Sequence, residues 1–323
     1  MSRATRSIRA LVAAAGLALG AALPAAAADF TMKIGFATMN DIQHQWGTWM
    51  KEGVEARSNG RIEVKLFPRN QLGTIEAFTS PADFFAGVDP RFGTFSIPML
   101  FKDMQHAEKV LLDPALNKEI LGLGADKNIQ IVSIYTFAFA HYLAKQPIRR
   151  IDDFKGKKLR VNATAAERAK MRVFGATAVP MDLAEVIPGL QQGVIDGTQS
   201  ATAVFVNLKF NEISKTLTEL NDTMVVSVGA VSRAWLGKLP TDLRQIVIEE
   251  GAKIQPRMMA QSRTIDDGMR KRWAEVGGEF VRFSPEEQAR VRQLLGPIGE
   301  EVTKDNPATS AFYKRLAATA QKY

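Results

Sequence analysis

The sequence predicts an α/β protein of two domains, and three observations carry that expectation. Strand-length runs, apolar or alternating, recur between segments of helical periodicity, the order that builds mostly parallel sheets covered by helices. Several helices carry their own start and stop signals. The chain has 323 residues, enough to bury two cores.

Taken in order, MKIGFAT (32–38) is an apolar strand. A helix over 42–57 ends at the turn Ser58-Asn59-Gly60. RIEVKLF (61–67) alternates polar and apolar residues as a strand with one buried face does. IEAFTS (75–80) is the next strand, and 129–135, 157–161, 177–179 and 224–232 are further ones. Lys157 to Val161 leads straight into a helix from Thr164. Asp182 with Glu185 forms a capping box for a helix over 183–192 that stops at Gly193. Thr241 starts a long helical region, 242–276, which Pro256 should kink or break and Gly277-Gly278 should end. Ser284-Pro285-Glu286-Glu287 opens the next helix with a capping box and a first-turn proline.

The first thirty residues address compartment. Arg3, Arg6 and Arg9 precede an uninterrupted small or apolar run, 10–23, and Ala25 to Ala28 supply a small-residue cleavage site. This reads as a signal peptide over 1–28, too short to be a membrane span, and it predicts export to the periplasm. Removing 28 of 323 residues leaves 295, and the loss of three arginines lowers the formal charge from +8 to +5. A balance that even argues against a nucleic-acid partner. The chain has no cysteine, which removes thiol nucleophiles and thiolate metal sites.

Catalytic patterns are missing. Only three histidines occur, at 44, 106 and 141, and no zinc-protease, serine-hydrolase or phosphate-loop motif accompanies them. GLGADK (122–127) resembles half a dinucleotide fingerprint but fits a helix end and turn better. No catalytic residue, metal site or cofactor is nominated, so a binder is expected rather than an enzyme. Arg160 stands out. It lies near a strand's carboxyl end and faces away from its aliphatic neighbours Leu159 and Val161. Ligands of open α/β sheets sit beyond such ends. A buried guanidinium needs a partner, which is either a nearby Asp or Glu or a ligand carboxylate.

Five stretches, in order, resemble one family: FPRNQLG, then FSIPMLF with HAEKVL, PIRRIDDFKGKKLRV, FGATAVPMDLAEVIPGLQQGVIDG and KFNEISKTLT. They resemble the solute-binding proteins of tripartite ATP-independent periplasmic (TRAP) transporters, and the likeness covers most of the mature chain. The resemblance implies a bilobed periplasmic-binding-protein-like fold, with two α/β domains around a ligand cleft and a long helix crossing both. It implies a first lobe of 29–137 plus about 224–255 and a second of 138–223 plus about 256–323. The family's carboxylate-gripping arginine falls on Arg160. Its pocket-lining positions fall on Met181, Leu183, Thr198 and Ser200, with Ser200 standing where relatives often carry asparagine.

Two departures stand beside the resemblance. A second arginine, frequent before a histidine in relatives, is here Ala140 before His141. The remaining pocket candidates are Trp46, Tyr135 and Phe205, each equally compatible with core packing, and His44 and Ser80 from the other lobe. This set fits one carboxylate on an apolar body. The second departure is the connection over 68–74, too short for the helix that a parallel crossover normally carries. Either this strand pair is arranged differently or a helix of the family has been lost. Such a loss would strip a covering layer from one sheet face, and the first lobe is expected to be the less stable. The implied function is capture of a small organic carboxylate, mono- or dicarboxylic and including aromatic and keto acids, for delivery by a monomer to a TRAP permease. A sensor or another transporter class is the alternative destination.

Overall fold

The structure, a computed structural model, describes residues 27–68 and 75–323. Residues 1–26 of the expected signal peptide and the segment 69–74 lie outside the described residues. No helix among the described residues is long and apolar enough to cross a membrane.

In chain order the strands are β1 (Phe30–Phe36), β2 (Ile62–Pro68), β3 (Ala77–Pro81), β4 (Ile129–Phe139), β5 (His141–Ala144), β6 (Lys158–Val161), β7 (Thr177–Pro180), β8 (Gly197–Ser200), β9 (Thr216–Glu219), β10 (Met224–Ser232) and β11 (Glu279–Arg282). They form two sheets, ordered β2-β1-β3-β10-β4 and β11-β9-β5-β8-β6-β7. Within the first, β1 runs parallel to β2 and β3, and β10 is antiparallel to both β3 and β4. The chain passes between sheets at Ala140 and again over 220–223, and the Ala140 N–H donates to the Thr223 carbonyl at 2.9 Å. The two crossings are therefore tied side by side.

The first sheet is buried in one large core containing Ile34, Phe36, Trp46, Ile134 and Val228. The second is covered on both faces. Tyr142 and Ala144 enter one core with Leu159 and Val161, whereas Leu143 enters another with Phe205 and Trp273. That alternation is the strand period itself.

The helix Thr241–Glu275 runs unbroken for 35 residues through Pro256. Proline removes the N–H that would satisfy the Ala252 carbonyl. The Gln255 side-chain amide reaches that carbonyl instead, at 3.4 Å. Leu243, Val247 and Met258 join the first core and Trp273 joins a core of the second sheet, so the helix crosses both lobes. The C-terminal helix Pro307–Lys322 buries Phe312 and Leu316 in the first core. Placing all of 256–323 in the second lobe does not anticipate that packing.

Register explains the short connection. Pro68 at the end of β2 is level with Phe36, and Ala77 at the start of β3 is level with Ile34, on the other side of β1. Strand spacing and rise put those ends roughly 12 Å apart. Because β3 begins near the carboxyl end of its neighbour, the chain has no full strand length to retrace, and a helical crossover is not needed. The two strands thus flank β1 rather than pairing with each other.

Other differences are local. The strands β5, β8, β9 and β11 have four residues each, and sequences such as GTQS and TLTE carry no apolar alternation. Asp182 caps the helix Leu183–Gln192 by position only, with no side-chain cap bond.

Candidate functional site

A cleft of about 420 Å³ opens between the sheets at the carboxyl end of β6. Its base is Arg160, which pairs in register with Val179 of β7 and Thr198 of β8. Leu159 and Val161 face a core, so strand alternation sends Arg160 to the other face. The residue is only 4% exposed. Its Nε donates to the Met181 carbonyl at 2.8 Å, its one hydrogen bond among the described residues. Arg160 has no ion pair there, although Glu167, Asp83 and Asp182 are near enough to act on its charge. Burial lowers its pKa and those carboxylates oppose the shift. A guanidinium held by Nε, with its fork unpaired at a cleft, is set for a planar two-oxygen anion.

Behind Arg160 lies a buried polar chain. The Glu167 carboxylate accepts from the Asn162 N–H and from the Gln199 amide. Lys170 Nζ donates to Gln199 Oε1 at 2.7 Å and to Thr223 Oγ1 at 2.9 Å. The same ammonium pairs with Asp222 at 3.0 Å, both side chains fully buried, and the Tyr142 hydroxyl donates to Asp222 at 2.9 Å. Lys170 thus holds the Gln199 oxygen, which turns the amide nitrogen toward Glu167. Burial pushes Glu167 up to about 7, with the Asp83 charge adding and Lys170 and Arg160 opposing.

From the first sheet's side come Ser80, Asp83, Phe84 and Gln43. Asn162 Nδ2 donates to Asp83 Oδ2 at 2.9 Å, and Ser96 Oγ donates to Thr164 Oγ1 at 3.1 Å, two bonds across the cleft. Phe78, Phe137, Leu183 and Val226 make much of the remaining wall apolar.

Residues 35–306 match the family of bacterial extracellular solute-binding proteins, family 7. The chain belongs to this family. It is a solute-binding protein of TRAP-type transport, not an enzyme. It is 27% identical to the C4-dicarboxylate-binding periplasmic protein of Rhodobacter capsulatus over 340 residues, covering 98% of this chain and 99% of that one. It is also 27% identical to the 2,3-diketo-L-gulonate-binding periplasmic protein of Escherichia coli over 285 residues, 82% of this chain and 87% of the other. Among solved structures, the galactonate-bound sugar acid binding protein of Advenella mimigardefordensis superposes with TM-score 0.84 at 23% identity, covering 90% and 98% of the two chains. A TRAP solute-binding protein of Desulfovibrio salexigens with bound orotic acid gives 0.83 at 21% identity, covering 90% and 99%. These likenesses establish the bilobed fold.

Within this family member, the structure brings Arg160, Leu183, Ser200 and Ser80 to one cleft. Six other expected pocket residues do not line it. Phe205 is fully buried among Phe210 and Trp273 in a core of the second sheet. Tyr135 is fully buried, with its hydroxyl bonded to Thr79 and burial raising its pKa. Thr198 is sealed within the sheet at 1% exposure. Met181 contributes its carbonyl to Arg160 rather than its side chain to the wall. His44 turns toward Phe36 and accepts the Asn40 N–H, leaving its neighbour Gln43 to line the cleft. Trp46 is also core, donating from Nε1 to Ser133 at 2.6 Å. Asp83, Asn162, Glu167 and Gln199 escaped sequence reasoning because their roles arise from contacts 29 to 79 residues apart in the chain.

Proposed function

We propose that this protein captures a small organic carboxylate in the periplasm and delivers it to a TRAP membrane permease. Arg160 grips the carboxylate with its free fork, Ser200 and Ser80 supply hydroxyls, and Leu183 with the phenylalanines covers the ligand body. In this reading the first lobe comprises the β1–β4 and β10 sheet together with the C-terminal helix, and residues 1–28 form the export signal. The single observation that supports it is a buried arginine whose guanidinium fork has neither ion pair nor hydrogen bond among the described residues and lines a cleft. A desolvated cation left unpaired is costly, so the arrangement makes sense where an anion completes it.

The test is a thermal-shift screen of monocarboxylates, dicarboxylates, aromatic acids and keto acids, each beside its neutral amide. A true ligand at 100 times its dissociation constant adds about 2.7 kcal/mol of stability. At least one acid should stabilise the protein while its amide does not. Equal effects of acid and amide would exclude the carboxylate reading.

A further inference from the structure

Two oxygens of residues that line the cleft with Arg160 lack a hydrogen-bond partner among the described residues. Asp83 Oδ1 and Asn162 Oδ1 are both buried without a hydrogen bond among the described residues, and both residues line the cleft. Their other atoms are bonded to each other, Asn162 Nδ2 to Asp83 Oδ2 at 2.9 Å, so the two orphaned acceptors belong to one locked pair. Asn162 follows the strand directly, two residues beyond Arg160, and Asp83 is near enough to act on the Arg160 charge. Buried acceptors without donors are rare because each forfeits its hydration.

Charge points the same way. Among the described residues, Arg160 is the one basic residue lining the cleft, against Asp83, Glu167 and Asp182. Glu167 already receives two N–H groups, whereas Asp182 makes no cap bond. Once a ligand carboxylate occupies Arg160, the acidic residues have no cation left among the lining. A second carboxylate on the ligand would meet like charge. A hydroxyl would satisfy one acceptor with its single proton. An ammonium carries three donors and a compensating charge.

Resting on the carboxylate reading above, we propose that the ligand is a zwitterion: an amino acid with an aliphatic or aromatic side chain. Its carboxylate sits on Arg160, its ammonium donates to Asp83 Oδ1 and Asn162 Oδ1, and its side chain lies against Phe78, Phe84 and Phe137. Asp83 is then a specificity-determining residue that reads the group next to the carboxylate.

The test is calorimetry on the full mature protein with matched series built on aromatic and branched aliphatic skeletons. Each series holds the α-amino acid and its α-hydroxy, α-keto and deaminated counterparts, with succinate as the dicarboxylate. In one series the amino acid should bind at least tenfold more tightly than the other three, and succinate should bind more weakly still. Asp83→Asn, checked for unchanged melting, should narrow the ratio between amino acid and deaminated acid to within threefold. If a hydroxy, keto, deaminated or dicarboxylic acid is tightest, the zwitterion inference is overturned while the carboxylate reading stands. If Asp83→Asn leaves the preference intact, Asp83 is not the reader. If no acid of these series or of the wider screen binds, both readings fall.

Discussion

Arg160 was legible as a residue because three letters, Leu-Arg-Val, alternate across a strand that needs apolar side chains on its core face. Its freedom from an ion pair was not legible, since Asp83 and Glu167 reach its surroundings through folding alone. His141 makes the same point about titration. It is 2% exposed, and burial lowers its pKa to about 4, with Glu219 and Asp222 opposing and Arg270 and Arg282 reinforcing the shift. The folded value lies below the unfolded one, so the unfolded chain takes up the proton first as pH falls. The contribution is fully present above about pH 6.5 and is lost progressively toward pH 4, a swing on the order of 3 kcal/mol. Urea unfolding at pH 7 and pH 5 should show wild type losing more stability than His141→Leu over that interval. Equal losses would mean that His141 takes up its proton at the same pH in the folded and unfolded chains.

Elements with strong local signals were readable. The helix Ile42–Arg57 is capped by Asp41, whose carboxylate accepts the Gln43 and His44 N–H groups, and it ends where Asn59 and Gly60 take positive φ. Leu183–Gln192 stops at Gly193 with φ +76. Unreadable elements were those whose stability is nonlocal, such as β8 and β9, or whose break is repaired from a side chain, as Gln255 does beside Pro256. The helix Ala165–Val173 has a nonlocal dependence of its own through Lys170 and Asp222. Lys170→Met leaves Asp222 charged, buried and unpaired, a loss of about 3–5 kcal/mol. Adding Asp222→Asn removes that orphan charge and should recover part of the loss. A single variant within ~1 kcal/mol of wild type, or a double variant worse than additive, would show that the pair is hydrated or dispensable.

At the scale of the whole molecule, the two chain crossings and the long helix set the sheets' carboxyl ends facing one cleft, and the family match agrees with that arrangement. Sequence resemblance supplied the bilobed architecture; composition and periodicity supplied only α/β layers. The central claim is that one guanidinium carries the charge recognition, because Arg160 is the one basic residue among the described residues that line the cleft. The direct measurement is calorimetry of the best carboxylate from the screen on wild type, Arg160→Ala and Arg160→Lys, with folding verified for each. Arg160→Ala should cost about 2–5 kcal/mol, roughly thirty- to several-thousand-fold in affinity. Arg160→Lys should lose nearly as much, since a point charge cannot reproduce the planar fork. Binding of the carboxylate by Arg160→Ala within threefold of wild type would contradict the account.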